Sequence, residues 1–304
     1  MRACIETLTA ARADTPAEIR SSLAGIGISS PGPVNQWTGV IVSPPNLGQG
    51  FHDIPLATEL EAALGLPAYL ERDTNVAALG EHAFGAARNV QDFLYVTVST
   101  GVGGAIMTAG QLLHGPDGTA GELGHISVEL DGPLCGCGGT GHLEAISGGV
   151  ALARDARAAV ARGDSPFLAA RAAASPEGPA ALGARDVAEG EDAGDPTCGA
   201  LMAHARHAFA MACAGFVNAF NPDLIVVGGS IAEHQGDRLL EPARAEIRRG
   251  AFATPGGRVR VVPAELGPDV SLAGSQPLVS GRLDDERWRA GRARLSAAES
   301  SRRP

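Results

Sequence analysis

Residues 122–144 read Glu-Leu-Gly-His-Ile-Ser-Val-Glu-Leu-Asp-Gly-Pro-Leu-Cys-Gly-Cys-Gly-Gly-Thr-Gly-His-Leu-Glu and contain four side chains that bind soft or borderline metal ions. These four are His125, Cys135, Cys137 and His142. Thiolate and imidazole ligands in a set of four favour tetrahedral Zn²⁺, and a closed set indicates a structural ion rather than a water-activating one. The glycines let the backbone turn tightly around one ion. The alternative is a free thiol pair beside two unrelated surface histidines.

The composition is that of a globular protein of two domains. The chain has 304 residues, 44% of them hydrophobic, and a net charge of −10, which disfavours a nucleic-acid partner. It contains no lysine, which excludes the lysines of a Walker A loop, a protein kinase and a Schiff-base mechanism. Because it has neither a long apolar run nor a signal-peptide pattern, we expect a cytoplasmic protein without a membrane partner.

The apolar periodicity predicts an α/β chain. Phe93–Ser99 followed by Thr100-Gly-Val-Gly-Gly104 predicts a β-hairpin, and Pro222–Val227 predicts a buried strand before Gly228-Gly229. Alanine-rich helices are expected at Ala145–Arg162 and Leu201–Phe220, with a Pro/Gly/Ala-rich span around Ser175–Asp195 between them. In the first third, strands are expected at Leu23–Ser29 and Ala68–Glu71, and helices at Leu56–Leu64 and Thr74–Phe84.

Several segments together resemble the ROK family of sugar kinases and repressors, named from repressor, open reading frame and kinase. The most specific match is Glu122–His125 with Cys135–Glu144, which is similar to the family's zinc-binding signature. The family usually has a third cysteine where this chain has His142, and imidazole also binds zinc. Further segments resemble the family in the expected order: Gly27–Val34, Asp73–Asn75, Thr100–Gly104 and Asp223–Ser230.

The resemblance implies a two-domain, actin-like α/β fold of the sugar kinase/actin/Hsp70 ATPase type, with a cleft between the domains. We expect a smaller domain at 1–92, a larger one at 93–283 with the zinc loop and a helical insert, and a mobile tail at 284–304. The end of the larger domain is expected to pack back on the first. Family kinases begin with a strand and an Asp-x-Gly-Gly-Thr turn, and Met1–Arg20 contains neither. The first domain is therefore expected to be incomplete, and no helix of sufficient length is expected before Gly25.

The resemblance also implies glucokinase-like transfer of a phosphoryl group from ATP to a hexose or N-acetylhexosamine, with Asp73 as the general base. Without the family match, Asp73 is more typical of a helix cap. The side chains that the family match assigns to the sugar are Asn46, Asp73, Glu122, His125 and Glu144. Arg72 stands where many family kinases have an asparagine that helps to hold the sugar, which bears on which hexose is bound.

Two glycine motifs resemble the nucleotide site of the family. Thr100, Gly101, Gly103 and Gly104 match the second phosphate loop, and Gly228 and Gly229 match the turn on the adenosine side. An ordinary hairpin turn accounts equally well for the first motif. Mg²⁺ is expected to accompany the phosphates, and homodimerisation is a further family expectation.

Two other functions remain open at this stage. Part of the family consists of non-catalytic, sugar-responsive regulators, and a kinase-dead homologue belongs to the same class. A glycosidase is the third alternative, because it employs a pair of carboxylates such as Asp73, Glu122 or Glu144.

Overall fold

The computed structural model describes residues 1–43, 51–291 and 293, and its chain forms two compact units. Unit 1 consists of Met1–Arg88, His114–Ala120 and Pro268–Pro304, and unit 2 of Asn89–Leu113 and Gly121–Gly267. None of the helices in the described ranges combines the length and apolarity that a bilayer span requires.

Helices and strands alternate along most of the described chain. In order they are α1 (Arg2–Asp14), α2 (Ala17–Arg20), β1 (Ile26–Ser30), β2 (Val34–Asn35), β3 (Val40–Ile41), α3 (Leu56–Leu64), β4 (Ala68–Arg72), α4 (Asp73–Phe84), β5 (Phe93–Val98), β6 (Val102–Thr108), β7 (Gln111–Leu112), α5 (Glu144–Ser147), α6 (Gly149–Arg162), α7 (Pro166–Ala174), α8 (Ala184–Asp192), α9 (Pro196–Phe220), β8 (Leu224–Gly228), α10 (Ser230–Gln235), α11 (Asp237–Gly250), α12 (Ala253–Arg258), β9 (Arg260–Pro263) and α13 (Val270–Arg282).

Unit 1 is built around the parallel pair β1 and β4, in register from Ile26 opposite Ala68 to Ser30 opposite Arg72. Every residue of β4 is buried, and α13 packs against α4, β1 and β4. Helix α4 follows β4 without an intervening loop. This direct passage from strand to helix puts Asp73 at the carboxyl end of a buried strand.

Unit 2 contains a five-stranded sheet in the order β7-β6-β5-β8-β9. The predicted hairpin is confirmed as the antiparallel pair β5 and β6, while β8 runs parallel to both β5 and β9. The long helix α9 packs Phe209, Phe216 and Val217 into the core of this sheet. Because β5 and β8 are parallel, the turns that follow them lie at the same sheet edge, where ligands of α/β sheets usually bind.

Three parts of the chain differ from the sequence predictions. The expected helix Ala145–Arg162 is two helices, because Gly148 is extended and the Gly149 amide donates to the carbonyl of Ser99 instead of continuing the first helix. The span Ser175–Asp195 contains helix α8. A helix, α1, precedes Gly25, and its Ile5 and Leu8 pack on the apolar cluster of α3.

Candidate functional site

The four predicted metal ligands lie together in unit 2. Their ligand atoms are all within 4.8 Å of one another. Sγ of Cys135 is 3.7 Å from Nδ1 of His125, and Sγ of Cys137 is 3.2 Å from Nδ1 of His142. Ligand atoms on one tetrahedral zinc are separated by roughly 3.3–3.8 Å, so the donor set fits such an ion and the two Cys–His distances lie near that range.

The backbone of the loop that carries Cys135, Cys137 and His142 explains this convergence. The Cys135 amide donates to the Gly139 carbonyl and the Gly138 amide to the Cys135 carbonyl, which closes a tight turn. Gly141 has φ +66°, and a Cβ there would lie 1.6 Å from the carbonyl oxygen of Glu129. Glycine at 141 therefore allows the loop to return against Glu129 and brings the next residue, His142, to the cluster.

His125 presents different ring nitrogens to the cluster and to Glu122. Its Nδ1 faces Cys135, while its Nε2 is 4.0 Å from Oε2 of Glu122. Both side chains are partly exposed. A hydroxyl group can therefore reach Glu122 and Nε2 of His125 from solvent.

The buried cysteine of the cluster favours the protonated form when no metal is bound. Burial raises the pKa of the Cys135 thiol, and the nearby Cys137 and Glu144 raise it further, against a backbone hydrogen bond that lowers it. Since a metal binds the thiolate, loading this site releases a proton.

Glu144 connects the loop that carries Cys135 with the turn after β5. Its Oε2 accepts a hydrogen bond of 3.0 Å from the Val102 amide, and its Oε1 is 3.9 Å from Sγ of Cys135. A Cβ on Gly101 would lie 2.3 Å from Oε2, so glycine at 101 leaves room for the carboxylate. One oxygen of Glu144 is thus used by the protein itself.

The two predicted glycine motifs meet at one sheet edge. The hydroxyls of Ser99 and Ser230 are 2.9 Å apart, and Gly229 has φ +95° with a virtual Cβ only 2.6 Å from the carbonyl oxygen of Val98. The Val150 amide donates to the carbonyl of Thr100, so the start of α6 holds the same turn. This third segment was not among the predicted site residues, although the glycine pair Gly148-Gly149 marks it in the sequence.

Only the first part of the glycine motif Thr100–Gly104 forms a turn between strands. Gly103 and Gly104 lie inside β6, paired with Thr97 and Val96, and a Cβ on Gly104 would lie 2.6 Å from the side chain of Leu123. The turn itself comprises Ser99–Gly101. The two later glycines serve strand pairing and the packing of the His125 segment.

Asp73 is exposed at the start of α4, while the residues on both sides of it are buried. Its Oδ1 accepts a 2.8 Å hydrogen bond from the Thr74 amide. The N-cap position of α4 belongs to Arg72, so Asp73 does not occupy the cap position that a lone aspartate would suggest. Asp73 belongs to unit 1, and Glu122, His125 and Glu144 belong to unit 2; Asn46 lies outside the described residues.

A charged group beside Asp73 escaped the sequence analysis. Glu71 is completely buried, and hydrogen bonds connect it with His114, Asn75 and Arg282. Burial alone raises the pKa of Glu71, but the hydrogen bonds and charges of these partners lower it to about 2. Glu71 is therefore an ionised carboxylate inside unit 1 at neutral pH.

Comparison with known proteins gives consistent matches over most of the chain. A model of the ROK family matches residues 2–282. A glucokinase from Halalkalibacterium halodurans is 37% identical over 265 residues, which is 86% of this chain and 77% of that protein. The xylose repressor of Bacillus subtilis is 26% identical over 84% of this chain and 61% of its own length. The crystal structure of a ROK family glucokinase from Streptomyces griseus with glucose and AMPPNP aligns with a TM-score of 0.71 and 29% identity, covering 92% of this chain and 88% of that one.

Proposed function

The chain belongs to the ROK family, and from this premise we propose that it transfers the γ-phosphoryl group of ATP to a hydroxyl of a hexose or N-acetylhexosamine. The similarity to a glucokinase, and to a glucokinase structure with glucose and an ATP analogue, supports this reaction class. Within the molecule, the exposure of Asp73 at the end of an otherwise buried strand supports it most directly.

Asp73 is the general base of this proposal. Its carboxylate takes the proton of the attacking sugar hydroxyl as the hydroxyl oxygen bonds to the γ-phosphorus and ADP leaves. The Thr74 amide orients the carboxylate through its bond to Oδ1. Such positioned proton transfer contributes about 10²- to 10⁴-fold in rate.

The remaining sugar hydroxyls are bound by Glu122, His125 and Glu144, together with Asn46. Carboxylate and amide groups take paired hydrogen bonds from a sugar, and a missing hydroxyl leaves them unpaired. His125 offers Nε2 to the sugar while Nδ1 binds a structural Zn²⁺ with Cys135, Cys137 and His142. An ion held by these four residues would fix the orientation of the His125 ring towards the sugar.

The turns Ser99–Gly101 and Gly228–Ser230 bind the nucleotide. Their adjacency in unit 2 brings backbone amides and two hydroxyls to one sheet edge, which suits phosphate groups. Mg²⁺ bound with the ATP phosphates would supply positive charge against the charge that develops on them.

The test is an ADP-release assay over a panel of hexoses and N-acetylhexosamines with wild type and Asp73→Asn. We expect Asp73→Asn to lower kcat by at least about 10²-fold and to leave sugar binding and the unfolding temperature nearly unchanged. Asp237→Asn is the matched control, because Asp237 is also an exposed first residue of a helix, in α11. Near-normal turnover by Asp73→Asn would reject the assignment of the base.

Two further measurements, sugar binding and hydrolysis of an aryl glycoside, separate the alternatives. A sugar-responsive regulator, the class to which the similar xylose repressor belongs, binds a sugar without releasing ADP. A glycosidase releases sugar from an aryl glycoside without nucleotide. Either result with an inactive kinase assay would replace the proposed reaction.

A further inference from the structure

We propose that Glu71, together with His114 and Arg282, is a positioning device that fixes the strand-to-helix turn carrying Asp73, and this inference rests on the proposed kinase function. Glu71 touches no reacting group in this scheme. It acts through the backbone and side chains on either side of the base.

The first oxygen of Glu71 spans the turn. Oε1 accepts a hydrogen bond of 3.0 Å from the Arg72 amide and one of 2.9 Å from Nδ2 of Asn75. In the chain, Asp73 lies between these two donors. A rotation of the turn that moves the Asp73 carboxylate therefore breaks at least one of these bonds. A helix start is otherwise free to fray, because its first amides have no partners within the helix.

The second oxygen of Glu71 is held by two segments distant in sequence. Oε2 is 2.7 Å from Nε2 of His114, which is 43 residues away, and 2.9 Å from Nη2 of Arg282, which is 211 residues away. The Trp37 ring packs over this pair, 4.6 Å from the Arg282 guanidinium and edge-on to His114. Arg282 also binds Asp285 through Nη1.

A gain in folding stability does not explain well why charged groups such as Glu71 and Arg282 are buried here. Taking a carboxylate and a guanidinium out of water is unfavourable for each ion, and apolar replacements of buried pairs are often neutral or stabilising. A directional role accounts better for four donors on one carboxylate, because each bond fixes an angle as well as a distance. The device stands directly beside the group for which orientation matters most.

The same strand end also binds the segment His114–Ala120 at both of its ends. His114, the first residue of the segment, contacts Glu71. Ala120, its last residue, accepts a hydrogen bond at its carbonyl from Nη2 of Arg72. Two residues further along the chain is Glu122, which we assign to the sugar. One hydrogen-bond network within unit 1 thus holds both the strand-to-helix turn that carries Asp73 and the segment His114–Ala120.

A pair of variants at His114 tests the inference. His114→Gln keeps an N–H that reaches Oε2 of Glu71, whereas His114→Leu fills similar space without a donor. We expect His114→Leu to lower kcat roughly 10- to 100-fold with sugar KM within about 3-fold, as for a base moved by about 1 Å. His114→Gln should restore most of kcat, and the control Arg287→Gln, an exposed cation 5.9 Å from the same Trp37 ring, should leave it unchanged.

A second measurement does not depend on turnover. In His114→Leu, backbone amides of residues 71–76 should exchange hydrogen faster than in His114→Gln, while those of β8 in unit 2 stay protected. If the wild type phosphorylates no sugar, the proposed function fails and this exchange experiment alone decides the inference. Equal kcat and equal exchange in the two His114 variants, with only the unfolding temperature lowered, would reduce the network to a structural contact and overturn the proposal.

Discussion

Single side chains in this protein differ sharply in how much they depend on distant partners. Asp73 follows a buried strand and accepts a hydrogen bond from the amide of the next residue, Thr74. Glu71, two residues earlier, needs His114 and Arg282 to stay ionised without water. Glu71 therefore depends on segments far from the turn that it shares with Asp73.

Acid should remove the contribution of Glu71 to stability. Its folded-state pKa of about 2 lies below the ordinary 4.5, so its contribution is complete above the unfolded pKa and disappears as pH falls towards the folded one. A lowering of this size corresponds to on the order of 3 kcal/mol. Urea unfolding between about pH 6 and pH 3 should show a steeper loss for wild type than for Glu71→Gln/Arg282→Gln, which leaves no buried guanidinium without its counter-charge. Parallel pH dependences would contradict this.

At the scale of elements, the loop at 133–142 is ordered by few apolar contacts. Leu134 is 70% exposed, and Cys137 is exposed as well. The tight turns at Gly138 and Gly141 and the ligand cluster must therefore hold this segment.

Removal of zinc should consequently destabilise this loop. We expect about one zinc per purified chain, loss of most of it in Cys137→Ser, and a lower unfolding temperature for that variant and for chelator-treated wild type. Cys4→Ser is the matched control, because Cys4 is an exposed cysteine in α1. Metal analysis and thermal unfolding decide the matter, and full zinc content in Cys137→Ser would exclude Cys137 as a ligand.

Some elements of this fold can be predicted from local sequence patterns, and others cannot. The hairpin β5–β6 and strand β8 follow from β-branched runs, and the structure confirms both. The spacing of His125, Cys135, Cys137 and His142 predicts that they come together, and their side chains do cluster, while their role as metal ligands stays a prediction. Helix α1 was missed because none of its residues is buried, so its apolar stripe is short. The network at Glu71 was invisible for a different reason: 211 residues separate it from Arg282, and no periodic pattern connects positions that far apart.

On the scale of the whole molecule, a bound sugar should raise stability whether or not turnover follows. At a sugar concentration about 100 times Kd, mass action adds about 2.7 kcal/mol to the free energy of unfolding. Thermal unfolding of wild type and Asp73→Asn with each sugar of the panel should show equal upward shifts for the substrate. If none of the sugars shifts the unfolding temperature at millimolar concentration, sugar binding itself is refuted.

The discontinuous make-up of unit 1 also bears on biosynthesis. Unit 2 ends at Gly267, whereas unit 1 needs α13, whose last residue is Arg282. A ribosome therefore finishes the later unit before it has made the helix that completes the earlier one. Until translation passes residue 282, the nascent chain carries the Glu71 carboxylate without its guanidinium partner, so the turn with Asp73 can be completed only after all of unit 2 has been synthesised.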